Sequence, residues 1–187
     1  MAESAAVMPY LHIPLQSGDD RILKRMNRRY PAAAFARVVA DSVARLPGVA
    51  IGVDVLVGFP GEDEAAFRNT YNLLESLPVS YLHVFPYSKR PGTPAADMAD
   101  QVAKAVKEER VALLRDLHHK KRSEFFRKHL GSTRQILVER RKQGCLLRGY
   151  SENYIPVSFA GDNALVNQLV TVRLEELSGD GVLGRIV

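Results

Sequence analysis

The chain has 187 residues, 46% hydrophobic and 25% charged, with a formal net charge of +5. This is globular composition; it excludes an intrinsically disordered chain, and no run of ~18 apolar residues is present to cross a membrane. The single cysteine, Cys145, excludes an internal disulfide, no Cys/His cluster has zinc spacing, and the N-terminal segment lacks the apolar core of a secretory signal, so a cytoplasmic protein without a complete metal site is expected.

In chain order, PYLHIPL (9–15) reads as a short strand, and Asp19-Asp20 opens a helix over RILKRMN. A second helix is expected over Ala32–Leu46, stopped by Pro47-Gly48. VAIGVDVLVGF is rich in β-branched residues and nearly continuously apolar, as a strand buried on both faces would be. A helix to about Leu77 follows, then a third strand over Val79–Phe85 and a loop rich in proline and glycine. Strand, loop and helix repeated in this way predict parallel strands with helical crossovers, and three such strands cannot close a barrel. The longest helix is expected over 99–130, ended by Gly131. Five short strands between turn residues then predict a small antiparallel barrel over 131–187, with the domain boundary near Leu130.

Charge follows this organisation. Residues 101–150 hold 14 Lys and Arg against 5 Asp and Glu, whereas the flanking segments are near neutral or acidic. Such a block is expected where one face meets a polyanion, or where a helix is simply solvated.

Functional groups in parallel α/β domains collect in the loops after the strands. Three loops therefore matter: Gln16-Ser17-Gly18, Gly58-Phe59-Pro60-Gly61-Glu62, and Pro86-Tyr87-Ser88. Each can equally be a tight turn that serves only the fold. Asp54 stands within an otherwise apolar strand, where a charge needs a partner or a polar cavity. His12 is expected to line or pack the sheet rather than bind a ligand, adjacent His118 and His119 cannot share a helix face, and Cys145 reads as a small core residue.

The strings LHIPLQSGDDRILKRMNRRY, GVDVLVGFPGEDEAAF and HVFPYSKRPGTPAADM resemble, in order, the C-terminal half of the catalytic domain of radical S-adenosylmethionine methylthiotransferases. Residues 131–187 resemble the RNA-binding TRAM domain that follows it in that family. GYSENYIPV and the basic helix look more like the tRNA enzymes than the branch that modifies a ribosomal protein, and most like those acting on threonylcarbamoyladenosine beside the anticodon, with the isopentenyladenosine enzymes as near rivals. A departure is Pro31, where the family usually has Thr; proline is acceptable at a helix start.

The resemblance implies a partial radical-SAM barrel (1–130) followed by a five-stranded TRAM-like barrel (131–187). In the intact enzyme it implies S-adenosylmethionine and [4Fe–4S] clusters, whose cysteine ligands this chain lacks, so the chain alone is expected to be inactive. Carried over by matching position, the cofactor residues are Gln16, Ser17 and Gly18, Arg28 for a carboxylate, Asp54, Val55, Gly58, Gly61 and Glu62, and Phe85, Pro86 and Tyr87 against adenine. No residue is expected to act as a nucleophile or general base, since the chemistry belongs to the cofactor. Arg140, Arg141, Lys142, Arg148, Tyr150, Asn153 and Tyr154 combine charge with stacking surfaces and are expected to contact RNA, with the tRNA anticodon stem-loop as partner. The missing N-terminal half of the enzyme is a further expected partner, and the unpaired edge of the first strand predicts a strand-pairing dimer. The alternatives are an RNA-binding module without catalysis, or the ribosomal-protein methylthiotransferase branch of the same family.

Overall fold

The computed structural model describes residues 7–141 and 146–187. Strands β1 (Tyr10–Gln16), β2 (Ala50–Val57) and β3 (Tyr81–Pro86) form a sheet in the order β1-β2-β3. β2 and β3 are parallel, with Asp54 opposite His83 and Leu56 opposite Phe85. A parallel pair needs a long crossover, which helix α3 (Glu64–Ser76) supplies; α1 (Asp20–Arg25) and α2 (Ala32–Arg45) connect β1 to β2. Val53, Val55 and Val57 are buried on one face of the sheet, whereas His12, Asp54, Leu56, His83 and Phe85 lie on the more open face.

The helix starts follow from carboxylates that satisfy free N–H groups. Asp19 Oδ1 accepts from Ile22 N at 3.0 Å, Asp20 Oδ1 accepts from Ala32 N at 2.7 Å directly after Pro31, and Asp63 Oδ1 accepts from Ala66 N at 2.9 Å. The helix expected over 99–130 is α5 (Lys104–His129), which starts later than expected, and a separate single turn, α4 (Pro94–Asp97), lies in the loop before it. The cause is local. Asp100 has φ +61 and its carbonyl accepts from Gly61 N at 2.9 Å, which holds the chain out of helical geometry until after this contact.

Strands β4 (Thr133–Arg141), β5 (Leu146–Ser151), β6 (Pro156–Ala160), β7 (Leu169–Ser178) and β8 (Gly181–Ile186) form a closed barrel in the order β4-β5-β6-β8-β7. Alternation places Ile136, Val138, Leu147, Val157, Phe159, Val172 and Val182 in its core. Gly149 is required here, because a Cβ on it would sit 2.1 Å from the Leu137 carbonyl oxygen beside the register shift between Val138 and Arg140.

Two compact units result: Leu11–Arg45 with Ile51–Lys121, and the barrel unit of Arg122–Val187, which also takes in Leu46–Ala50 and the residues up to Tyr10. Among the described residues no helix is long and apolar enough to cross a membrane.

Candidate functional site

The three loops stand at the C-terminal ends of the strands, as expected, but the glycines of the first two make their tightest contacts with the protein itself. Ser17 is buried, its Oγ 3.3 Å from Thr70 Oγ1, which also accepts from Gly18 N at 2.9 Å. A Cβ on Gly18 would meet Thr70 Cα at 2.6 Å, on Gly58 it would meet Lys107 Cγ at 2.2 Å, and on Gly61 it would meet Arg25 Cζ at 2.8 Å. The glycines therefore admit α3, α5 and α1 to the loops. Gln16, by contrast, is half-buried and holds φ +69, an uncommon conformation for a residue with a side chain.

Glu62 anchors the second loop. Its Oε1 accepts from Gly58 N at 2.8 Å and from Arg110 Nη1 at 2.9 Å, with side-chain exposures of 2% for Glu62 and 6% for Arg110. Burial pushes the Glu62 carboxyl above the usual carboxylate range, outweighing the pull of the Gly58 N–H and the Arg110 guanidinium. Lys107 Nζ donates to the Tyr87 carbonyl at 3.1 Å, and Tyr87 packs edge-on against Phe59 with ring centroids 5.4 Å apart. Val55 and Tyr87 are thus core residues, while Phe85, Pro86 and Arg28 are exposed.

Asp54 pairs with neither an arginine nor a glycine loop. His12 Nε2 lies 2.7 Å from its Oδ1, and the His83 ring meets His12 edge-on at 4.9 Å. This gives the acidic residue in the apolar strand its partner.

The basic block divides in two. Lys107, Arg110 and Lys121 point inward, and Lys121 Nζ donates to the Glu75 carbonyl and, at 2.8 Å, to the Leu77 carbonyl, closing the C-terminal end of α3. Lys120 pairs with Glu75 at 3.1 Å and Arg134 with Glu152 at 2.9 Å. These cations are structural in part, which narrows the surface open to a polyanion.

In the barrel unit, Asn153 is fully buried and corrects the sequence expectation. Its Nδ2 donates to the Gly48 carbonyl at 2.9 Å, and its Oδ1 accepts from Ser151 Oγ at 2.7 Å, so it has no surface to offer RNA. Tyr154 is 52% exposed, yet its ring lies between Tyr10 and Tyr150, each centroid 4.9 Å away. Arg148 and Tyr150 are half-buried. Arg140 and Arg141 are described as backbone, opposite Arg148 and Leu147, and Lys142 and Cys145 lie outside the described residues.

Residues 1–74 match the family model described as the radical SAM superfamily. The chain is 41% identical to the threonylcarbamoyladenosine tRNA methylthiotransferase MtaB of Bacillus subtilis over 91% of its own length and 39% of that protein. It is 40% identical to the tRNA-2-methylthio-N(6)-dimethylallyladenosine synthase of Xanthomonas euvesicatoria over 95% of its length and 37% of that protein. The chain is similar to the radical SAM methylthiotransferases. It spans about two fifths of the length of the curated relatives it matches, since the corresponding synthase of Coxiella burnetii, 37% identical over 99% of this chain, is covered to 43%.

A radical SAM methylthiotransferase uses S-adenosylmethionine and iron–sulfur clusters, and the residues present fit these groups unequally. One cysteine in the whole chain supplies at most one thiolate, so a four-iron cluster does not fit the donors of this chain alone. For S-adenosylmethionine, exposed Phe85 and Pro86 at the end of β3 and half-buried Gln16 at the end of β1 offer an apolar surface and a polar group that fit part of such a site, while exposed Arg28 lies in the loop between α1 and α2. Sequence reasoning missed Lys107, Arg110, Thr70 and Arg25. Their signal was weak, because each lies on a helix where a cation or threonine is ordinary.

Proposed function

We propose that this chain is the part of a tRNA methylthiotransferase that completes the cofactor pocket and grips RNA, the intact enzyme inserting a methylthio group at C2 of a modified adenosine beside the anticodon. The observation that carries this reading is the 41% identity to the Bacillus subtilis enzyme, which runs over 91% of the chain and so through both compact units. When bound, S-adenosylmethionine supplies radical and methyl-transfer chemistry. Gln16 and the backbone around it would position its polar end together with Arg28, and Phe85 and Pro86 would cover its adenine ring. Glu62, Arg110 and Lys107 would act from behind, holding the Gly58 and Tyr87 loops in place. The barrel, read as a TRAM domain, would bind the anticodon stem-loop through Arg148 and Tyr150 with the basic residues 140–142. On this reading the protein works in the cytoplasm, and the outer edge of β1 is where the remaining strands of the catalytic barrel, or a second copy, would pair.

Threonylcarbamoyladenosine is the favoured substrate, on the resemblance of GYSENYIPV and the basic helix. Dimethylallyladenosine is the second reading, supported by the Xanthomonas relative at 40% identity. The deciding experiment joins this chain to an upstream family half that carries the cluster cysteines and assays it on tRNAs bearing each hypomodified adenosine. Methylthiolation of the threonylcarbamoyl tRNA alone supports the favoured reading; modification of neither tells against the function.

A further inference from the structure

The barrel carries a cleft of about 180 Å³ between strands β5 and β6 and the β7–β8 turn, lined by Arg148, Pro156, Ser158, Ser178, Asp180 and Gly181 among others. Its walls are fixed by the backbone. Arg148 stands directly opposite Ser158 in the β5–β6 register, and Ser178 opposite Gly181 closes the turn, in which Gly179 has φ +53. Gly181 has no room for a side chain, since a Cβ there would lie 2.5 Å from the Pro156 carbonyl oxygen, so the turn is pressed against the start of β6.

The charge in this cleft is not balanced. Asp180 is the one carboxylate lining it, and Arg122 engages it, with Nη1 3.5 Å from Oδ1 and Nη2 on the Asp180 carbonyl. Arg148 makes no ion pair or side-chain hydrogen bond among the described residues, and neither do the hydroxyls of Ser158 and Ser178. A guanidinium with two hydroxyl donors beside a countered carboxylate selects an anion with several acceptor oxygens. The volume is smaller than the ~300 Å³ at which pockets for whole small molecules begin, so it suits one group rather than a nucleoside.

We propose that this cleft binds a single phosphoryl group, held by the Arg148 guanidinium and the Ser158 and Ser178 hydroxyls. The favoured source is a phosphodiester of an RNA backbone, because Arg140 on β4 occupies the register position opposite Arg148, a second cationic residue next to it across the strands. Only this choice of source rests on the RNA reading given above; the phosphoryl site itself stands on the cleft.

The test is a nitrogen-15 spectrum of the full chain titrated in separate arms with inorganic phosphate and with a short RNA stem-loop, alongside RNA affinity measured across a salt series. The expected result is saturable shifts of the Ser158, Gly179 and Gly181 amides with RNA. Arg148→Ala should weaken RNA binding roughly tenfold and lower the salt slope by about one, and Ser158→Ala should act in the same direction more weakly, both with unchanged circular dichroism. Shifts with inorganic phosphate but not RNA would keep the phosphoryl site, assign it to the free anion and remove the RNA reading. RNA binding that both variants leave unchanged, with these amides still, would overturn the cleft while leaving the proposed function intact. Silence of these amides toward both ligands would overturn the cleft as well.

Discussion

Asn153 Nδ2 reaches back 105 residues to the carbonyl of Gly48, and this 2.9 Å hydrogen bond ties the β5–β6 turn to the segment that precedes β2. Gly48 has φ +75, and a Cβ there would lie 3.3 Å from the His129 ring, so the carbonyl is presented by backbone geometry that a larger residue would disturb. Asn153→Ala leaves this carbonyl and the Ser151 hydroxyl short of a partner inside the protein. We expect a loss of about 1–3 kcal/mol in urea unfolding, with RNA affinity per folded molecule unchanged.

The Glu62–Arg110 pair is buried on both sides, so removing one partner strands a charge. Arg110→Met should cost about 3–5 kcal/mol, whereas Arg110→Met combined with Glu62→Gln should recover part of that loss. A double-mutant cycle in guanidinium chloride that includes Glu62→Gln alone measures the coupling, and a double variant whose loss equals the sum of the two single losses would show that the pair is not coupled.

His129 sets a pH dependence. Its Nδ1 lies 2.9 Å from Arg134 Nη2, and because a guanidinium only donates, Nδ1 is the acceptor and the ring is neutral. Burial, reinforced by the Arg134 charge, holds the imidazole below its ordinary value of 6.5 against the opposing pull of Glu152. The unfolded chain therefore takes up the proton first. The stability from neutral His129 is complete above about pH 6.5 and is lost as pH falls below it toward the depressed folded value. Unfolding free energies measured from pH 7.5 down to about 5 should decline in the parent chain, and this component should vanish in His129→Asn.

The tyrosine stack makes Tyr150 and Tyr154 unequal. Tyr154 has a neighbouring ring on each side, so Tyr154→Ala should mainly reduce stability, by about 0.5–1.5 kcal/mol for each of the ring pairs it breaks. Tyr150→Ala should instead lower RNA affinity by about 1–3 kcal/mol with the salt slope unchanged. Thermal melts and fluorescence anisotropy on both variants separate the two effects.

Changing Arg140, Arg141 and Lys142 together to alanine should weaken tRNA binding and flatten the salt slope by roughly 2 units, at about 0.7–0.9 for each phosphate neutralised. A triple variant that binds tRNA like the parent across the salt series would mark this stretch as solvated surface.

What could be read from the sequence was what local chemistry encodes. Asp19 announced its helix by capping, the valines of β2 announced a buried strand, and Gly131, at φ +80, ended α5. The pairing of His12 with Asp54 spans 42 residues and depends on which strands become neighbours, so no spacing rule reveals it. Asn153 was misjudged because an asparagine beside tyrosines fits an RNA surface and a buried turn equally well. Lys107, Arg110 and Lys121 were hidden by their own company, because a cation in a charged run looks solvated until the fold turns it inward.

Helix α5 also fixes a length. Its buried positions Arg110, Leu114, Leu117 and Lys121 follow the helical repeat and set one cation at the Glu62 loop and the other at the end of α3. Inserting or deleting one residue between Arg110 and Lys121 would rotate one end against the other by about 100° and pull one cation from its carbonyls. Substitution at exposed Glu109, Ala112 or Asp116 leaves that spacing intact. Among descendants of this sequence, this helix should therefore accumulate exchanged letters readily while keeping its number of residues.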